Sequence, residues 1–204
     1  MIRNAVLSSV ALLALAACNA PETARTPEEK VPESVASAVA PDAASSPVLT
    51  PQGYGPLKIG MTQADVDAAV GPPPANAAEA EPAECRQYHP PRAPEGLLVM
   101  TEKGVLTRLT AIKGSSVKTA DGAGVGDDGE SLKVRYGASA RFSPHKYEAA
   151  PAGYLTTWPG ADALLGTYVA DPAARGLVFE IGGDGKVAFI HAGGPSIQYV
   201  EGCS

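Results

Sequence analysis

Aromatic side chains are scarce in this sequence: 5% of its 204 residues are Phe, Trp or Tyr, and one is Trp. A core built from it must therefore be mostly aliphatic and alanine. No apolar run reaches the ~20 residues that a membrane-spanning helix needs. Positive charge is thin as well, with 16 Lys and Arg against 22 Asp and Glu and a net charge of -6. Binding a phosphate backbone needs clustered Lys and Arg, and no such cluster occurs, which argues against a nucleic-acid partner. His89, His145 and His191 stand in different segments with no H-x-x-H or H-E-x-x-H spacing, so no metal motif exists in the sequence. His191 ends a predicted strand, where a half-exposed structural histidine is the ordinary role. The nucleophile elbow G-x-S-x-G is missing, and Gly193–Gly194–Pro195–Ser196 reads as a turn. The glycine-acid run from Asp121 to Glu130 has Ala123 and Val125 where a calcium loop carries acids, and it lacks the Gly-Lys-Ser/Thr ending of a phosphate loop. No catalytic residue, metal or cofactor is indicated, and the expectation leans away from an enzyme.

What is present begins with an address. Arg3 precedes a short apolar run from Ala5 to Leu15, which ends in Leu15–Ala16–Ala17–Cys18. These residues resemble the signal and lipobox of bacterial lipoproteins. The resemblance implies removal of residues 1–17, a diacylglyceryl thioether on Cys18 and a further acyl chain such as palmitate on its new amino group. Two or more chains give stable anchoring where one gives marginal binding. The implied location is the bacterial cell envelope, and Asn19 in place of Asp points, by the enteric sorting pattern, to the outer membrane facing the periplasm. The rival is an ordinary secretory signal cut at a nearby alanine. Residues 18–52, rich in Ala, Pro, Glu and Ser and without an aromatic before Gly53, bury too little apolar surface to order themselves and are expected to act as a tether.

Three cysteines occur. With Cys18 lipidated, Cys85 and Cys203 remain in an oxidising compartment, where two thiols most simply form one disulfide. A pair of free thiols is the alternative; two cysteines alone make no zinc site.

Residues 53–204 are expected to form one α+β domain of two repeated helix-then-antiparallel-strand units, about 53–115 and 120–204. Gly60 and Gly126 open similar stretches that close at Gly71 and Gly137. Between them Thr62 with Asp65, and Asp127 with Glu130, read as capping signatures. Val66 with Val70, and Leu132 with Tyr136, share helix faces. Each helix is followed by a hairpin, over 96–112 and 176–192, with glycine-containing turns. Shorter strands are expected near Arg86–Tyr88 and Tyr154–Trp158.

The stretch Gly53–Tyr54–Gly55–Pro56–Leu57–Lys58–Ile59–Gly60–Met61–Thr62 resembles the start of small exported lipoproteins with the β-lactamase-inhibitor-protein-like fold, and the small lipoproteins of the outer-membrane assembly machinery. That family's inhibitors carry a disulfide within each repeat, whereas Cys85 and Cys203 would link the two. The resemblance implies a membrane-tethered, non-enzymatic scaffold that binds an envelope protein. Tyr147, Tyr154 and Trp158, in a proline-rich insert, are the candidate binding anchors, since Tyr and Trp dominate interface hot spots. Two alternatives stand beside it: an inhibitor of a periplasmic enzyme, and a saccharide-binding or cell-wall-hydrolysing module in which Trp158 and the tyrosines stack on sugar rings with Asp162 or Glu180 assisting.

Overall fold

The computed structural model describes residues 46–75, 84–160 and 166–203. The signal, Cys18, the tether up to residue 45 and Asp162 lie outside the described residues. Leu49–Thr50, within the stretch read as tether, form β1; β2 (Gly53–Tyr54) and β3 (Leu57–Lys58) complete a three-stranded antiparallel sheet. The Leu49 side chain is buried and its N–H donates to the Lys118 carbonyl. Gly53 admits no side chain, because a Cβ there would lie 2.0 Å from the Leu57 carbonyl oxygen.

Helix α1 (Gln63–Val70) starts where the sequence places it: the Thr62 hydroxyl accepts from the Asp65 N–H and the Asp65 carboxylate accepts from the Thr62 N–H. Val66 and Val70 are its buried residues. Helix α2 (Gly129–Tyr136) starts one residue later than the Asp127–Glu130 reading: Asp128 is the cap, accepting from the Ser131 N–H, while Asp127 accepts from the Gly124 N–H. Leu132 is buried, and the Tyr136 ring packs 5.2 Å from that of Phe179.

The larger sheet is antiparallel and seven-stranded. Its members are β4 (Cys85–Tyr88), β5 (Leu97–Glu102), β6 (Val105–Ala111), β7 (Arg141–Pro144), β8 (Gly153–Thr157), β9 (Gly176–Ile181) and β10 (Val187–Gly193). Their order across the sheet is β4-β5-β6-β10-β9-β8-β7. Lys103 and Gly104, both at positive φ, make the two-residue turn between β5 and β6.

The expected α+β architecture of two repeated helix-then-strand units is therefore corrected. Among the described residues the fold is mostly β, two antiparallel sheets with helices α1 and α2 of 8 residues each. Two turns of helix are too short to form a layer, and they act as plugs on one face of the sheet. The β1–β3 sheet ahead of α1 has no counterpart ahead of α2, and three strands of the larger sheet follow α1 where four follow α2. The extra strand, β7, hid in a segment that reads as a loop because it is largely exposed and ends in Pro144; an edge strand tolerates both.

Two bulges decide which side chains face which side. Register shifts between Met100 and Thr101 opposite β6, and between Val187 and Phe189 in β10. Each inserts a residue and turns the following strand over. Leu106, Leu109 and Ala111 of β6 thus share the larger apolar core with Val187, Ile190 and Ala192 of β10 and with Leu177, Phe179 and Ile181 of β9. Arg108, Thr110, His191, Val178 and Glu180 are left on the opposite face.

Candidate functional site: a strapped cavity on the polar face of the sheet

The opposite face is crossed by residues 195–203, which act as a strap. It begins with a short 3₁₀ turn, Pro195–Gln198, and ends at the Cys85–Cys203 disulfide, which ties it to β4. Between those points Arg108 holds it. The Arg108 Nη1 donates to the carbonyls of Ser196 and Tyr199, both at 3.1 Å, and Nη2 donates to Gln87 Oε1 at 2.6 Å. The guanidinium is 2% exposed, and burial brings its pKa down to about 10, against the raising pull of Glu102 and Glu180. It stays charged, and its bonds to the strap are charge-assisted. Gly202 passes so close that a Cβ would lie 2.6 Å from Gln87 Oε1 and 2.9 Å from Arg108 Nη2, at a φ of +70°.

A cavity of about 430 Å³ opens beside the strap, within the range of small-ligand sites. Strap residues Gln198, Tyr199 and Val200 form one side, and Tyr154, Thr156, Glu180 and His191 come from the sheet. Arg141 of edge strand β7 and Tyr168, from the segment ahead of β9, also line the cavity. Among the described residues Glu180 is the one carboxylate in the lining.

Glu180 is held between two imidazoles. His145 Nδ1 accepts from the backbone N–H groups of Tyr147 and Glu148 at 3.2 and 3.1 Å, so its proton sits on Nε2, which donates to Glu180 Oε1 at 3.3 Å. His191 Nε2 lies 3.4 Å from Glu180 Oε2, and its Nδ1 lies 3.0 Å from Thr110 Oγ1. A proton on His191 Nε2 serves both contacts, with the Thr110 hydroxyl donating to Nδ1. Burial pushes the Glu180 carboxyl up, but hydrogen bonds and charge interaction from His191 and then His145 outweigh it, and its pKa lies below the ordinary 4.5. Burial drives the His191 pKa below 6.5, although its bond to Glu180 pulls the other way. At neutral pH the cluster therefore holds an ionised carboxylate beside a neutral His191.

Thr110, His191 and Glu180 stand in the order nucleophile, base and acid. Thr110, however, is 3% exposed and does not line the cavity, so no substrate reaches it. A carboxylate with a depressed pKa is also a weak base near neutrality.

The same shifts predict the acid response of the fold. Both groups bind fewer protons folded than unfolded, so stability is fully present above about pH 6.5 and falls as pH is lowered. His191 supplies the first loss, beginning near 6.5, and Glu180 a second below 4.5. Thermal melts from pH 8 to 3 check this; Glu180→Gln should remove the lower step, and an unchanged profile in that variant contradicts the assignment.

Of the anchors expected from sequence, Tyr154 and Trp158 line the cavity and Tyr147 does not. Trp158 is 2% exposed and packs with Val169, Val178 and Ile197, its ring against Gly176. Tyr154 stacks on His145 with ring centroids 4.8 Å apart. Tyr147 is 61% exposed, and its hydroxyl donates to Glu201 of the strap. His191, expected to be half-exposed, is buried. Sequence reasoning gave no role to Arg108 or Thr110, and it weighed His145 only in excluding a metal motif. An arginine set inside the apolar run of β6 was the visible signal for the first. The Cys85–Cys203 disulfide is formed, and no helix among the described residues is long and apolar enough to cross a membrane. Comparisons of this chain with protein-family models, with curated proteins and with solved structures find no match.

Proposed function

We propose that this protein is a lipid-anchored lipoprotein of the bacterial cell envelope that binds an envelope partner and performs no chemistry on it. The observation that carries the reading is the strapped cavity, with an ionised carboxylate in its wall, the Thr110 hydroxyl of the Thr110–His191–Glu180 chain buried outside its lining, and an apolar rim. Tyr168 and Val200 are exposed at that rim, the kind of surface that seats an anchor side chain from a partner. The lipobox residues Leu15–Cys18 support the membrane tether. The saccharide alternative has less support, because Trp158 is buried and offers no open ring face to a sugar.

The tether is tested in a bacterial host. Wild-type protein should sediment with membranes, and its intact mass should show added acyl chains on a chain starting at Cys18. Cys18→Ser should shift it almost wholly to the soluble fraction. Wild-type protein found unacylated in the cytoplasm would end this reading.

A further inference from the structure

We propose that the cavity takes an aliphatic cation, an alkylammonium or guanidinium group on an apolar stem, with Glu180 as its counter-ion and Tyr168 and Tyr199 as aromatic walls. The inference rests on the binding reading above and names the chemistry that the site selects.

Three observations lead to it. The Glu180 side chain is 15% exposed and lies in the cavity wall, and its salt-bridge partners among the described residues are His145 and His191 alone. A buried charge is normally paired with an opposite one, and a neutral imidazole supplies a hydrogen bond but no charge. Arg108 senses Glu180 electrostatically, yet its two terminal nitrogens are committed to Ser196, Tyr199 and Gln87.

Each Glu180 oxygen accepts one imidazole N–H, and a carboxylate offers about four acceptor positions. Acceptor capacity is left for a ligand. The walls suit the rest of it: Tyr168, 66% exposed, and Tyr199 on the strap line the same cavity, and tyrosine rings attract a cation through their negative faces. Phe142 is a poorer wall, because Lys133 Nζ already sits 3.5 Å from its ring centroid. Arg141 also lines the cavity and is exposed. It disfavours a second cation on the ligand and favours a carboxylate there, so a chain carrying an amine at one end and an acid at the other satisfies both residues.

The test is calorimetric titration of the full-length chain in detergent at low salt. The probes are 5-aminovalerate, cadaverine, pentanoate and the peptide acetyl-Gly-Lys-Gly-amide. 5-Aminovalerate and the lysine peptide should bind, cadaverine should bind more weakly than 5-aminovalerate because its second ammonium faces Arg141, and pentanoate should not bind. Preference for the peptide assigns the cation to a protein partner, and preference for 5-aminovalerate assigns it to a free small molecule.

Glu180→Gln should weaken amine binding on the order of ten- to a hundredfold. Because that change also disturbs two imidazole contacts, a second pair stands beside it. Tyr168→Ala should cost roughly two- to fivefold while Tyr168→Phe stays near wild type. The proposal is overturned if pentanoate binds as well as the amines, if no amine binds, or if Tyr168→Ala and Glu180→Gln, both shown to be folded, bind amine as tightly as wild type. Amine binding in a protein that fails the membrane test removes the lipoprotein reading and keeps the site. A membrane-bound protein that binds no amine does the reverse.

Discussion

Removing the Cys85–Cys203 cross-link, by reduction or by paired Cys85→Ser and Cys203→Ser substitution, lowers the unfolding free energy by about 4–5 kcal/mol in the chain-entropy account. The size follows from the loop it closes. The two cysteines are 118 positions apart, so the bond removes much of the freedom of the unfolded chain while constraining the folded one little. For a domain of about 150 residues that loss corresponds to a fall in melting temperature on the order of 10–20 °C. Urea unfolding of oxidised and reduced protein gives the number directly. A difference under about 1 kcal/mol would show that the reduced unfolded state is already as confined as the cross-linked one. The local effect is as informative: the strap loses its terminal anchor, and the side of the cavity formed by Gln198, Tyr199 and Val200 becomes the first part of the domain to open.

Arg108→Ala is expected to destabilise by about 3–5 kcal/mol, the usual range for removing one member of a buried charged network. The change leaves the carbonyls of Ser196 and Tyr199 and the Gln87 amide oxygen without their donor, beneath a strap that excludes water. Arg108→Lys should recover little of the loss, because an ammonium on a flexible stem cannot serve acceptors arranged around a planar fork. Urea midpoints for the two variants test this. Near-wild-type stability of the lysine variant would show that the charge, and not the shape of the guanidinium, is what the strap needs.

These residues mark the limit of what the chain discloses before it is folded. The helix starts and the hairpins are legible, since capping and turn chemistry act over three or four residues. Thr62 with Asp65 and the Lys103–Gly104 turn form where local rules place them. The sheet order is not legible, because pairing β6 with β10 is a contact between distant segments. The bulges lie between these cases. Alternation breaks visibly in Val105–Ala111 and Val187–Gly193, where buried apolar residues are spaced by three and then two. Read as bulges, those breaks would have placed Arg108, Thr110 and His191 on the polar face together. The matched glycine spacings misled in the other direction. Gly71 and Gly137 do end helices, but a shared helix stop does not make a shared unit when the strands around it differ in number.

The pairing of β6 with β10 also governs when the cavity comes into being. It is the central seam of the larger sheet, where Arg108 lies opposite Gly193 and Ala111 opposite Ile190. The two hairpins beside it close short loops and can form early. The seam joins residues such as Thr110 and His191, 81 positions apart, and contacts of that range are won late because the intervening chain must first be brought into register. His191 and Glu180 meet within the β9–β10 hairpin, but the Thr110 contact to His191 and the Arg108 hold on the strap exist only once that seam has zipped. Ligand competence is thus a property of the completed chain, and neither hairpin flanking the seam carries it alone.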